Sequence, residues 1–435
     1  MMLTMRASQV SPASGMATMA RILATAASMR SLLRPDTWIL PTPFSLSMVL
    51  RAACRATFVP GEACGPRDLP KFAETGGCNS RQTSGARPES YRPMTAKQTF
   101  FAFLLPLLLA VAGGTAVLLT GSVPLGPGQV WTALVSAPEG SLEAVVAEAR
   151  LAGGLTAWLS GAALGVAGLA MQTLFRNPLA DPSLLGVNAG ASLGVAVAML
   201  AWGGTFASAG LTLSGFGLTV AAAWAGALAV LALLALCAAI AAGRTTLLVA
   251  GVMISFGLGA LTSLLGFMAP AEGVQTYVVW GLGGFGGVSL ALWPVYAAVL
   301  AAAAGLIALR AQSLDALLLG DDYARNLGVD VRRCRTRLLL GCGLIAATVT
   351  AACGPVSFIG LAVPHAARFA LGAGRHGPLL GATLLWGGAV AVGCHALTLL
   401  PLAGGMLPLG VVTPLVGAPA VLWVVLGRSG RRRVA

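Results

Sequence analysis

Gly161-Ala-Ala-Leu-Gly165-Val-Ala-Gly168-Leu-Ala-Met-Gln172-Thr-Leu-Phe-Arg176-Asn177-Pro178-Leu179-Ala-Asp181-Pro182-Ser-Leu-Leu-Gly186 carries no charge before Arg176, and its glycines recur at helical spacing. One face of such a helix is nearly bare backbone, so a neighbour can approach closely, as helices do inside a bilayer. Asn177-Pro178 and Asp181-Pro182 then force a non-helical turn, because each residue before a proline is pushed out of the α region. An apolar rod that ends in a polar turn is one membrane crossing.

The same alternation runs outward along the chain. Of its 435 residues, 57% are apolar and 9% charged, against about 25% charged in soluble domains. From Thr99 onward the apolar residues fall in blocks of roughly 18–25, the length that crosses about 30 Å of hydrocarbon at 1.5 Å per residue. The expected spans are roughly 98–120, 150–174, 183–203, 215–242, 245–268, 288–309, 335–353, 355–372, 378–400 and 408–427. The fold class is therefore all-α, a polytopic membrane protein of about ten transmembrane helices.

Charge sets direction. The net charge of +13 could suggest nucleic acid, but the basic residues lie in short loops between apolar blocks, where they orient a protein in the bilayer. With the N-terminus inside, 15 of the 16 basic residues after Met94 fall on the inner side, and only Arg150 lies outside with Glu139, Glu143, Glu148 and Glu272. Both termini are thus expected in the cytoplasm and nucleic acid is not an expected partner. Residues 1–93 differ: they hold 11 of the 27 Lys+Arg, many Ser and Pro, and no run long enough to span. They read as a disordered or mis-called N-terminal extension without function, with Met94 a natural first residue and the permease domain at 94–435. Cys54, Cys64 and Cys78 there, and Cys237, Cys342, Cys353 and Cys394 in the spans, show neither CxxC nor metal spacing. No metal site or cofactor is expected.

Several function classes lack their chemistry. An ion-coupled carrier needs carboxylates inside the membrane, and no Asp or Glu falls in mid-span. His365 and His395 read as hydrogen-bonded packing rather than relays. A Walker A loop needs GxxxxGK[ST] to wrap phosphates, and the only lysines, Lys71 and Lys97, are followed by Phe72 and Gln98. If the chain is part of a pump, its motor is another polypeptide. The largest inner loop, 311–337 (AQSLDALLLGDDYARNLGVDVRRCRTR), then becomes informative. Leu314, Leu317 and Leu318 with Tyr323 and Leu327 suggest two short amphipathic helices broken at Gly320 and Gly328. A solvated loop has no need of an apolar face, so the pattern predicts docking of a soluble partner.

Further blocks join the opening stretch: Leu247-Leu-Val-Ala-Gly251, Trp280-Gly-Leu-Gly, Gly320-Asp-Asp-Tyr-Ala-Arg-Asn-Leu-Gly328-Val, Gly354-Pro-Val-Ser-Phe-Ile-Gly360-Leu-Ala-Val-Pro364-His365-Ala-Ala-Arg368, and Leu407-Pro-Leu-Gly410 through Gly417-Ala-Pro419. In this order, over about 97–428, they resemble the FecCD-type permeases of type II ABC importers, the family for iron–siderophores, haem and vitamin B12. The resemblance implies a membrane subunit with no covalent chemistry of its own, carrying a metal chelate, with iron–siderophore first and haem or cobalamin behind it. Implied partners are a second permease copy or a homologous permease, two ABC ATPase subunits, a periplasmic or lipid-anchored substrate-binding protein, and the bilayer of the cytoplasmic membrane.

Roles carry over by position. Asn177 and Leu179, with Thr245 and Thr246, match a cytoplasmic gate. Residues 314–330 match coupling helices that rest on the ATPase, with Asp315, Gly320, Asp321, Asp322, Arg325 and Gly328. Spans five and ten and the Trp280–Gly287 region would line the pathway. Pro178, Pro182, Gly354, Pro355 and Pro364 are expected at structural turns. Arg150 is the expected docking residue for the binding protein. Here the chain departs from the family, reading Arg150-Leu-Ala-Gly153 for Arg-Leu-Pro-Arg, His395 and Leu399 for an Asp and an Arg, and Met406 for a Glu. Altered electrostatic docking follows.

Overall fold

Ser141 opens the longest helix among the described residues: its hydroxyl accepts the Ala144 amide at 3.3 Å, and the helix runs unbroken from Leu142 to Leu174. The computed structural model describes residues 95–123, 125–136, 140–201, 205–208, 211–240, 244–372, 375–401 and 407–431. The readings of residues 1–93, Met94 and Met406 lie outside these. Within them the helices are α1 Ala96–Leu119, which contains a π turn at Phe100–Leu104, α2 Pro127–Val135, α3 Leu142–Leu174, α4 Val187–Ala196, α5 Gly215–Ile240, α6 Arg244–Met268 and α7 Ala271–Gly281. They continue as α8 Trp293–Ala308, α9 Ala311–Leu319, α10 Asp321–Asn326, α11 Val331–Cys353, α12 Ile359–Leu371, α13 His376–Thr398 and α14 Leu409–Arg431. A short antiparallel hairpin, β1 Thr205–Ser208 with β2 Leu211–Ser214, precedes α5.

Every expected span but the third coincides with one helix. Six described helices are long and apolar enough to cross a membrane, α8 reaches that length with α9 across a 45° bend, and three shorter apolar helices complete the set. The differences have local causes. Span two begins at Leu142, eight residues before the expected start, because Ser141 caps it and the Ala- and Glu-rich stretch that follows favours helix. Span three is not one helix: Asp181 caps a 3₁₀ turn at Pro182–Leu185, Gly186 takes φ +80°, and only then does α4 begin, ending in a π turn at Val197–Ala201. Pro178, Pro182, Gly354 and Pro355 do sit at turns, and Gly354 occupies φ +75°. Pro364 does not. It is buried inside α12, where its missing N–H leaves the Gly360 carbonyl without a helical donor, and that carbonyl lies against the bare backbone of Gly168.

The core is an α3-centred seam. Of the apolar windows, 78% of that in α3, 72% in α11 and 61% in α13 is buried, against 11% in α6. Gly161 of α3 faces Gly387 and Ala391 of α13 so closely that a methyl at Gly161 would overlap both. Gly190 and Gly194 of α4 meet Ala222 and Gly226 of α5 in the same way. With lipid as apolar as leucine, this close backbone approach supplies the packing that holds such helices together.

Candidate functional site

At the end of the bundle that carries Arg176, Arg310, Arg325 and Arg375, α8 bends by 45° into α9. Leu314, Ala316 and Leu317 anchor α9 in the core. Gly320 then breaks the chain at φ +135°, α10 follows with Ala324 buried, and Gly328 at φ +81° ends it. Asp330 accepts the Arg333 amide at 3.0 Å and starts α11. These two pinned helices form a knob whose outer face shows Leu318, Leu319, Tyr323 and Leu327, each half or more exposed. Gln312, Asp315, Leu319, Tyr323, Leu327 and Arg375 border a shallow open depression there. Asp322 and Arg325 pair at 2.8 Å beside it, both open to solvent.

Two of the expected coupling acids have partners in the bundle. Asp315 reaches from the edge of that depression to α13, its Oδ1 accepting the His376 amide at 2.9 Å and lying 2.7 Å from His376 Nδ1. Asp321 faces Arg335 of α11 at 3.4 Å. Both tie the knob to the bundle, and Asp315 at the same time borders the outer depression. The outer surface is made by Leu318, Leu319, Tyr323, Leu327, Asp322 and Arg325.

The turn after α3 lies beside the knob. Arg176 takes φ +48°, and its Nε and Nη2 donate to the Leu317 carbonyl at 3.2 and 2.9 Å. A cation on the last carbonyls of α9 is favoured by the helix dipole. Asn177 Oδ1 accepts the Leu179 amide at 3.0 Å, which fixes the turn and leaves Leu179 exposed. Behind it, Gln172 of α3 donates to the Leu361 carbonyl at 3.1 Å and accepts from Arg368, while His365 Nε2 lies 3.0 Å from the Pro178 carbonyl. Thr246 is exposed in the first turn of α6; the Thr245 side chain lies outside the described residues. Asn177, Leu179 and Thr246 thus share one end of the bundle. Burial pushes the Asp181 carboxyl above its usual value, against the pull of its Ser183 hydrogen bonds. It sits in the turn, not within a span.

Along the bundle, α6 is open. Val249, Met253, Phe256, Leu264 and Phe267 stand on its surface, and Leu415 and Leu422 of α14 are equally exposed. The described face of α6 carries no charge beyond its first residue. Its Gly251 and Ser255 pack on Gly186, which ties it to the broken third span.

At the opposite end, Arg150 is not offered outward. Only 7% of it is exposed, Nη1 donates to the Leu118 carbonyl at 2.9 Å, and Nη2 reaches the Val123 carbonyl across the bare backbone of Gly121. The guanidinium ties α3 to the end of α1, and little of it is left on the surface for a partner to touch. The Trp280–Gly287 segment is anchored by Phe285, which is fully buried, by the Gly284 amide on the Cys353 carbonyl and by the Gly410 amide on the Leu282 carbonyl, both at 2.8 Å. Its exposed residues are Leu282, Gly284, Gly286 and Gly287, with Val278 and Val279 exposed just before it. His395 packs edge-on to Phe285, with centroids 5.7 Å apart. Among the described residues, no three His, Cys, Asp or Glu side chains gather as a metal site. Sequence reasoning missed Arg176, Gln172 and His376. Nothing local marks them, since their partners lie 141, 189 and 61 positions away.

The FecCD transport family matches residues 107–427. The vitamin B12 import system permease protein BtuC of Klebsiella pneumoniae subsp. pneumoniae is 34% identical over 65% of this chain and 82% of its own. The hemin transport system permease protein HmuU of Yersinia pestis is 32% identical over 76% of this chain and 96% of its own. A solved inward-facing conformation, described as that of a metal-chelate type ABC transporter, aligns with a TM-score of 0.63 at 25% identity, covering 76% of this chain and 99% of that one.

Proposed function

The chain belongs to the FecCD transport family and is the multi-pass inner-membrane permease of an ABC importer, and from that premise we propose how it couples and what it carries. ATP is hydrolysed by a separate ATPase, and a substrate-binding protein is the other partner. The α9–α10 knob is the surface on which the ATPase rests: Leu318, Leu319, Tyr323 and Leu327 supply apolar area, and Asp322 with Arg325 the polar rim. The exposed apolar face on a rigid, doubly pinned projection carries this reading. An apolar face of this kind is unfavourable in water unless something covers it. The 15-to-1 distribution of basic residues supports a cytoplasmic position for that end and for both termini.

Two copies, or this chain with a homologous permease, enclose the pathway. The uncharged faces of α6 and α14 line it, and Asn177, Leu179, Thr245 and Thr246 close it at the cytoplasmic end. The cargo is a large metal chelate. The relatives named for vitamin B12 and hemin favour a flat macrocyclic chelate over the iron–siderophore expected from the sequence, and an apolar wall bearing Met253 and Phe256 suits such a surface.

Replacing 314–330 by a Gly/Ser linker should abolish co-purification with the ATPase while the bundle still folds. Retention of the ATPase would overturn the docking role. Vesicles containing the assembled importer should accumulate cobalamin or hemin only with ATP; accumulation by this chain alone on an ion gradient would overturn the whole assignment. Uptake of a ferric siderophore with neither macrocycle would restore the siderophore reading.

A further inference from the structure

A polar chain links the knob to the buried seam. The α13 helix starts without a side-chain cap of its own, since Arg375 at the N-cap makes no such bond. Asp315 of α9 supplies it from outside, accepting the His376 amide at 2.9 Å. A carboxylate at a helix N-terminus satisfies an orphan donor and favours the dipole. The same oxygen lies 2.7 Å from His376 Nδ1, and because a carboxylate only accepts, Nδ1 carries the proton. The imidazole is buried, and its Nε2 lies 2.9 Å from the Thr173 hydroxyl of α3, which also meets the Leu169 carbonyl at 2.9 Å. A second tie runs from Arg176, just past α3, to the Leu317 carbonyl of α9.

The first tie ends on α13 and α3, and the second on the turn just past α3. These two helices touch through backbone at Gly161 and Gly387, with no side chain between them to yield. Displacement of α9 is therefore handed to the seam rather than absorbed in a loose loop. We propose that Asp315 and His376 form a latch that transmits movement of the ATPase-contacting knob to the α3–α13 core, with His376 a positioning residue that touches neither cargo nor ATPase. This rests on the knob being the ATPase contact.

The test uses the assembled importer in vesicles, with whichever of cobalamin or hemin the unaltered protein accumulates. H376A should keep the ATPase bound and hydrolysing within about twofold, while chelate moved per ATP falls about tenfold, equivalent to about 1.4 kcal/mol of lost coupling. D315A should lower the same ratio as far, and D315N, which keeps an acceptor oxygen, should retain most of it. The double variant D315A/H376A should fall no further than either single one, as for two members of one contact. An unchanged ratio in H376A, additive losses, or equal damage from D315N and D315A would overturn the latch. If H376A does not accumulate, the D315A–D315N pair decides, because both leave the buried imidazole in place. Failure of the unaltered chain to retain the ATPase would instead remove the docking reading beneath it.

Discussion

Helices α3 and α6 are both apolar, glycine-bearing rods, yet among the six long described spans one is the most enclosed and the other the least. In α3, Gly161, Gly165 and Gly168 each face a neighbour at or inside contact distance. In α6, Gly257, Gly259 and Gly266 have nothing within 4 Å of where a methyl would stand. Their large side chains differ likewise: Leu169 and Met171 of α3 are fully buried, and Phe256 and Phe267 of α6 lie open. Small residues at helical spacing thus permit a close approach without guaranteeing one. The packed rod gives the subunit its stability, and the bare rod is free to face a partner, a cargo or lipid.

The sharpest way to break this contrast is the same substitution on both rods. G161L drives a side chain into the Gly387 carbonyl, which cannot move without moving α13, and should cost more than about 3 kcal/mol, the upper end for overpacking. G257L should stay within about 0.5 kcal/mol. Thermal unfolding of the purified proteins measures both, and equal losses would erase the distinction. Next in size is Arg150, at the start of the packed rod. R150M removes the donors from the Leu118 and Val123 carbonyls and should cost about 1–3 kcal/mol. R150E adds a buried carboxylate facing those oxygens and should cost more, so its loss of uptake would reflect folding rather than docking.

Smaller effects sharpen the functional half. F256A should leave the unfolding midpoint within about 0.5 kcal/mol of the parent's stability, because an exposed ring contributes little to the fold. Chelate uptake should change nonetheless; unchanged uptake would remove Phe256 from the pathway. Smallest is D322A: an exposed ion pair is worth about 0–1 kcal/mol, so stability should hold while affinity for the ATPase drops slightly in a titration.

The spans, the turns at Asn177-Pro178 and Gly354-Pro355, and the breaks at Gly320 and Gly328 were legible because each depends on residues close in the chain. Pro364 misled for the same reason. A proline signals a missing donor, but only the packing of α12 on Gly168 shows how the freed carbonyl is accommodated. Arg150 misled through its charge, since a lone cation in an outer loop reads as exposed until the ends of α1 and α3 enclose it. Asp315 was read with the surface acids beside it, although His376 lies 61 positions away.

By itself the chain determined how many apolar rods it makes, where they stop, which ends are basic, and that one inner loop is amphipathic. Hydrophobic length, proline stops and charge bias act over a few residues and need no partner. The fold decided which rods are enclosed, that Arg150 is buried, that Asp315 reaches His376, and that the knob is tied to α3 and α13. Those outcomes depend on contacts between residues tens to hundreds of positions apart, and no local pattern encodes which bare faces will meet.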